Sequence, residues 1–188
     1  MNIPKEIRTA RLLLRWWRPS DRAPFAAMNA SPQVREFFPD LLTQAESDAS
    51  VDRFEAHFAQ HGFGFWAVEI PNAAPFAGFI GLKIPSFEAH FTPCVEIGWR
   101  LAEQYWGRGY ATEGARAALR FGFEVLKLKQ IVSFAVPNNL RSRRVMEKIG
   151  MTYSPADDFL HPLMPAGHPL QAHVLYRIKA DDYARQIG

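Results

Sequence analysis

Two glycines and a cluster of backbone donors stand where an extended run gives way to a helix. The stretch is Gln104-Tyr-Trp-Gly-Arg-Gly-Tyr110-Ala111, between the alternating run Cys94-Val-Glu-Ile-Gly-Trp-Arg-Leu101 and an Ala-rich helical pattern over residues 112–126. Glycines at such a junction let the chain turn tightly and bring successive amides close to a ligand. Unpaired amides at a helix start, with the positive end of its dipole, form a seat for phosphate. This is the physics of a pyrophosphate-binding loop. A Walker loop needs Lys-Ser/Thr after its last glycine, where this chain has Tyr110-Ala111. A dinucleotide fingerprint needs three glycines and an acidic residue about 20 residues on, closing a second parallel strand. Here there are two glycines, and Glu124 falls within the predicted helix.

Strand alternation sorts the run before the loop. Val95, Ile97, Trp99 and Leu101 share one face; Glu96, Gly98 and Arg100 share the other. Gly98 between two charged residues leaves room on that face, which suits a cleft. Glu96 is therefore the candidate base, acting directly with a raised pKa or through a water. Its plainer reading is a carboxylate paired with Arg100, two pleats along. His57 and His61 lie four apart on a predicted helix, a spacing compatible with a metal. The sequence places no third ligand there, so surface histidines explain them and no metal is expected.

The elements that must position these groups alternate between strand and helix. Residues 12–17 read as a first strand, and Asp21 as the N-cap of a short helix through Met28. Residues 32–38 predict a second short helix, ended by Pro39. Residues 43–61 predict a longer amphipathic helix with Val51, Phe54 and Phe58 at helical spacing and Gly62 as its stop. Residues 64–70 and 76–84 read as strands joined by a hairpin-like turn. A strand at 130–136, a helix at 139–149 and a strand at 173–179 follow the glycine loop. The pattern is mixed α/β, with meandering strands first and crossover helices later.

Composition bounds the rest. A chain of 188 residues with 48% apolar content fits one globular domain, residues 1–188. Cys94 alone excludes an intrachain disulfide and a cysteine zinc cluster. The expectation is a cytoplasmic protein, since no leader and no apolar run approaching a membrane span is apparent. A net charge of +3 suits a polyanionic ligand and is too mild to imply nucleic acid.

The loop does match Gln/Arg-x-x-Gly-x-Gly/Ala, read as Gln104, Gly107 and Gly109. This resembles the acetyl-CoA loop of the GNAT N-acetyltransferase superfamily. Thr9-Ala-Arg-Leu-Leu-Leu-Arg15 with Asp21 resembles the opening strand of its RimJ/RimL-like branch, and Glu96-Ile-Gly-Trp-Arg-Leu101 that branch's fourth strand. Pro137-Asn-Asn-Leu-Arg-Ser142 with Glu147-Lys-Ile-Gly150-Met151 is similar to its Asn-x-x-Ser…Glu-Lys-x-Gly-Phe segment. The resemblance runs from about residue 9 to residue 179. It implies a central mixed, mostly antiparallel twisted sheet, splayed between its fourth and fifth strands and flanked by helices.

The same resemblance implies an acetyl-CoA-dependent N-acetyltransferase, in which a primary amine attacks the thioester directly. Gly107, Arg108, Gly109, Tyr110 and Ala111 offer amides to the pyrophosphate, with Gln104 opening the motif and Arg108 able to add its side-chain charge. Backbone groups around Leu101 hold the pantetheine arm and the thioester carbonyl. Glu96 is the base. Asn139 caps its helix and reaches the CoA arm, and Ser142 donates to the leaving sulfur. One of Arg141, Arg143 and Arg144 is a candidate for the CoA 3′-phosphate; a solvated basic face is the alternative. Many family members place a tyrosine acid seven residues after that Asn; this chain has Met146, which donates no proton. Partners are then acetyl-CoA and an amine, either a protein or peptide N-terminus or a small molecule, with no nucleic acid and no membrane, in a monomer or homodimer. A second reading stays open: a catalytically weak acyl-CoA-binding or protein-interaction module on the same fold.

Residues 32–43, 86–93 and 154–171 are expected to line the acceptor side. Carboxylates beside aromatics there favour a cationic amine; ordinary polar loops with packing aromatics are the equal alternative. Residues 162–169, rich in proline, either cover a cleft or bridge two strands.

Overall fold

The apolar run after Arg11 forms a strand because its neighbours offer it ladders on both edges. In the computed structural model, which describes residues 5–187, β1 (Ile7–Arg8) and β2 (Leu13–Arg15) run antiparallel, and β2 pairs onward with a third strand. The chain divides into two compact units. One comprises the residues up to Lys83 together with Gly98–Ala118; the other comprises Ile84–Ile97 and the residues from Leu119 on.

In the first unit a short 3₁₀ turn, Pro19–Asp21, leads into α1 (Arg22–Asn29), followed by α2 (Gln44–His61). α2 starts and stops as its sequence predicts. Thr43 and Glu46 form a reciprocal capping box, and Gly62 closes the helix at φ 77°. Strands β3 (Phe65–Ile70) and β4 (Ala74–Lys83) form the expected hairpin, in register at Trp66↔Ile80, with Asn72 at φ 63° in the turn. β5 (Glu96–Leu101) crosses the boundary between units after Ile97, and α3 (Tyr110–Arg120) crosses it after Ala118. The strand order within this unit is β1-β2-β3-β4-β5. A Cβ on Gly78, whose φ is 137°, would sit 2.1 Å from the Arg100 carbonyl oxygen, so β4 and β5 meet this closely only through glycine.

In the second unit β5 runs parallel to β6 (Gln130–Ala135), in register at Glu96↔Val132. α4 (Leu140–Lys148) follows, then the short β7 (Thr152–Tyr153) and β8 (Phe159–Leu160). Both pair antiparallel with β9 (Ala172–Lys179), itself antiparallel to β6, and α5 (Ala180–Ile187) ends the described chain. The sheet is thus mixed and mostly antiparallel, as expected. β1, β7 and β8 escape the sequence because two residues show no periodicity. No helix of the described residues is long and apolar enough to cross a membrane.

Two expectations need correction. Residues 32–38 form successive turns rather than a helix. Seven residues barely exceed a helix nucleus, and the Arg35 side chain instead closes the segment by donating from Nε to the Asp40 carbonyl. Asp21 does precede α1, but its side chain makes no cap to that helix. It turns back to accept from the Arg18 amide at 2.7 Å and from Arg15 at 2.7 and 2.9 Å. A bidentate, charge-assisted pair outweighs one bond to a neutral amide.

Arg15 anchors the first unit. Its side chain is 2% exposed, and all five of its N–H groups find acceptors. Nε donates to Glu69 at 2.8 Å, Nη1 to Asp21 and the Trp16 carbonyl, and Nη2 to Asp21 and the Pro75 carbonyl. The same unit holds an aromatic cluster of Trp17, Phe25, Phe54, Phe65, Phe76 and Phe79, with Trp17 and Phe25 centroids 5.0 Å apart. Asp21→Ala should cost about 3–5 kcal/mol, because it removes one of two carboxylate partners of a buried cation and leaves N–H groups on both Nη1 and Nη2 unsatisfied; a urea titration against the parent protein measures this.

In the second unit His173 donates from Nδ1 to the Gln171 carbonyl, 3.1 Å away. Burial holds its pKa below the ordinary 6.5, with that bond working the other way. A depressed folded value means that the unfolded chain binds the extra proton first. The stabilisation is therefore present above pH 6.5 and is lost as pH falls through the folded value. The thermal midpoint should fall between about pH 7 and pH 5, and fall less in His173→Phe.

Candidate active site

The glycine loop has the backbone its sequence requires. Gly107 lies at φ 72° and Gly109 at φ 81°, both left-handed, and both residues are exposed. α3 begins at once: the Glu113 amide bonds to the Gly109 carbonyl at 3.0 Å. The amides of Tyr110, Ala111 and Thr112 therefore precede the helical ladder and face whatever sits at this terminus. Gln104 lies in a preceding 3₁₀ turn, Glu103–Tyr105, and is exposed. Trp106 braces the loop on the sheet, as its position suggests, by donating from Nε1 to the Leu101 carbonyl at 2.7 Å.

A feature absent from the sequence reading holds this loop from the N-terminal strand side. Arg11 donates from Nη1 to the Arg108 carbonyl at 3.0 Å and lies 4.7 Å from the Tyr110 ring centroid. In a trans peptide the carbonyl and the next amide point in opposite directions. Fixing the Arg108 carbonyl on Arg11 therefore aims the Gly109 N–H away from Arg11, outward from the clamp. Glu113 in turn holds Arg11, accepting from its Nε at 2.6 Å, from its amide at 2.8 Å and from the Thr9 hydroxyl at 2.6 Å. Burial would raise the Glu113 pKa, yet these donors outweigh it and hold the carboxyl below its usual range. Arg11 was legible only as part of the Thr9–Arg15 motif; a contact 102 residues away in sequence leaves no local signature.

The remaining predicted site residues lie in the second unit. Glu96 opens β5 and is half-buried. Asn139 is the N-cap of α4, its Oδ1 accepting from the Ser142 amide at 3.0 Å. That bond leaves only the amide nitrogen of its side chain for a ligand. Ser142 is half-buried in the first turn, and Met146, one turn on, is fully buried in the core. Burial pushes the Cys94 thiol up to about 11, with Glu96 adding to the shift, so it stays protonated and unreactive at neutral pH. Arg143, one of the three candidates for the 3′-phosphate, donates from Nε to Tyr176 Oη at 3.2 Å and from Nη1 to the Pro137 carbonyl at 3.0 Å.

Segments 86–93 and 154–171 come together as expected. Phe87 and Phe91 meet Phe159, with centroids 6.4 and 4.8 Å away, and Phe87 lies 4.6 Å from His161. Two of their carboxylates are already engaged, whereas Glu88 is exposed. Asp157 accepts twice from Arg177 at 2.9 Å, which holds its pKa down, and Asp158 accepts from Tyr153. The proline-rich stretch bridges two strands, closed where the His161 amide meets the Gln171 carbonyl at 2.8 Å. The His57 and His61 ring centroids lie 4.5 Å apart with the planes tilted by 47°, and His57 bonds to the Phe63 carbonyl. Among the described residues no group of three or more His, Cys, Asp or Glu is placed to hold a metal.

A model of the acetyltransferase (GNAT) domain matches residues 11–152. YkkB of Bacillus subtilis (strain 168) is 31% identical over 155 residues, 82% of this chain and 89% of that protein. YnaD of the same organism, named an N-acetyltransferase, is 28% identical over 178 residues, 94% of this chain and 98% of its own. The crystal structure of a GNAT-family acetyltransferase from Bacillus anthracis superposes with a TM-score of 0.77 at 27% identity, covering 94% of this chain and 99% of that one. The class these define is an N-acetyltransferase. The chain belongs to the GNAT acetyltransferase family.

The Arg11 clamp can be tested without any ligand. Arg11→Ala should speed amide hydrogen exchange at residues 107–111 by about tenfold, the worth of one charge-assisted bond, while the thermal midpoint moves by only a few degrees.

Proposed function

We propose that this protein moves an acetyl group from acetyl-CoA directly to a primary amine, on a peptide N-terminus or a small molecule. The observation that carries the proposal is the exposed, left-handed Gly107–Arg108–Gly109 loop, clamped by Arg11 and running straight into α3. Its amides seat the pyrophosphate, Gln104 opens the seat, Arg108 adds charge, and Tyr110 and Ala111 complete it at the helix terminus. Backbone groups at Leu101 hold the pantetheine arm and polarise the thioester.

Glu96 takes the proton from the ammonium, directly or through water, so that a neutral amine attacks the carbonyl carbon. The tetrahedral intermediate collapses with cleavage of the C–S bond. Ser142 donates a hydrogen bond to the departing thiolate, and Asn139 steadies the arm with its amide nitrogen. Met146 takes no part, since its side chain is apolar and fully buried. Residues 1–188 act as one acetyltransferase domain, a reading supported by a family match that runs through both compact units.

Calorimetric titration with acetyl-CoA should show affinity of about micromolar order, abolished by Gly107→Glu, which strains a left-handed position and brings a carboxylate to the phosphates. Glu96→Gln should bind acetyl-CoA normally and acetylate an amine panel about 10²–10³-fold more slowly. Folded protein that fails to bind acetyl-CoA would sink the proposal.

A further inference from the structure

The first unit treats two of its guanidiniums, buried Arg15 and half-buried Arg100, in opposite ways. Arg15 has an acceptor for every N–H. Arg100, on β5, makes one hydrogen bond, from Nη1 to Asn29 Oδ1 at 2.8 Å. Its Nε is sealed from solvent with no hydrogen-bond partner, although other parts of the residue reach water. Asn29 offers nothing more: it is fully buried, and its Nδ2 donates to Ser47 Oγ at 2.9 Å, which fixes its oxygen toward Arg100. The other neighbours are aromatic. Phe38 and Phe79 have ring centroids 4.0 and 5.3 Å from the guanidinium carbon.

A second arginine stands against the same ring. The Arg35 guanidinium carbon lies 4.8 Å from the Phe38 centroid, and the residue is only 8% exposed. Its Nε donates to the Asp40 carbonyl, a neutral acceptor. The charge that acts on Arg100 is that of Arg35, and it is repulsive; burial first and this repulsion second push Arg100 down to about 9. Burial lowers Arg35 too, with Asp40 and Glu46 acting in the other direction. Among the described residues no carboxylate forms an ion pair with either arginine.

Like charges held together in a buried place, beside an unfilled donor, are unfavourable by themselves. A carboxylate relieves both penalties. It is planar and accepts from the edge of a guanidinium, which is the part left open when rings cover the faces. Phe38 is 39% exposed and belongs to neither helix nor strand, so the ring over these guanidiniums stands at the surface rather than in the core. The place is suitable too. Arg100 adjoins Leu101, and residues 32–43 are the segment that the sequence assigns to the acceptor side.

We propose that Arg100 and Arg35 bind a carboxylate of the acceptor, so that the amine acetylated belongs to a free amino acid or to a peptide with an acidic residue near its N-terminus. This rests on the acetyltransferase reading above and adds its substrate class.

The test uses amines that differ only in the carboxylate: L-phenylalanine against 2-phenylethylamine, L-lysine against cadaverine, and C-terminally amidated Ser-Glu-Ala against Ser-Gln-Ala. Each is assayed for acetylation at saturating acetyl-CoA and for calorimetric binding to the CoA complex. At least one carboxylate member should be preferred about tenfold or more in kcat/KM. The pairs that show the preference separate free amino acids from acidic peptides. Arg100→Gln should bring the preferred substrate to the level of its neutral partner, through KM, with acetyl-CoA affinity unchanged. Arg35→Gln, made in a turn segment, should do the same and serves if the first variant does not fold. Equal or reversed preference in every pair, a preference surviving both substitutions, or neither binding nor turnover of any pair overturns the proposal. Failure of the parent protein to bind acetyl-CoA is a separate result, and it counts against the acetyltransferase mechanism.

Discussion

A guanidinium taken out of water needs five acceptors in one plane, and the first unit is arranged to supply them to Arg15. Two come from Asp21, one from Glu69, and two from the carbonyls of Trp16 and Pro75. Meeting that requirement fixes where β2, the 3₁₀ turn before α1, β3 and the turn into β4 stand relative to one another. The aromatic cluster adds burial worth about 1.5–3 kcal/mol per ring. Area alone, however, is indifferent to register. The five bonds are not, because a one-residue slip of β2 or β3 would turn Arg15 or Glu69 to the opposite face.

The same chain shows what happens when that requirement is left unmet. Arg100 has a single acceptor, two rings and a like-charged neighbour. An enzyme fold tolerates such a residue where stability is traded against ligand recognition, and strained or unsatisfied groups collect at such places. The contrast between two arginines of one unit is more telling than either alone, since the chemistry is the same and only the acceptors differ.

Much of this was legible beforehand, and the parts that were not share a cause. α2 was readable because Val51, Phe54 and Phe58 recur at helical spacing and Gly62 is a local stop, while the Thr43–Glu46 capping box was seen only in the structure. The β3–β4 hairpin and the glycine loop were readable for the same reason, with Gly107 and Gly109 taking the left-handed backbone that their spacing suggests. Asp21 was misread because a distant partner, Arg15, outcompeted the local cap. Residues 32–38 were misread because Pro32 and Pro39 bracket a segment too short to nucleate, whose shape Arg35 sets by reaching forward to Asp40. Asp157 looked available and is held by Arg177. In each case the competing group lies outside the window that periodicity can see.

The Arg11–Glu113 contact joins residues separated by 102 positions, and so the cofactor seat is one end of a very long closed loop. Loop closure of that length is an entropic cost met before any local bond forms. The clamp on the glycine loop therefore exists only while the N-terminal strand is in place. Thermodynamic reciprocity carries this further. Any ligand that orders the loop must tighten residues 9–11 by an equal free energy, and anything that grips the N-terminal strand must be felt at the loop.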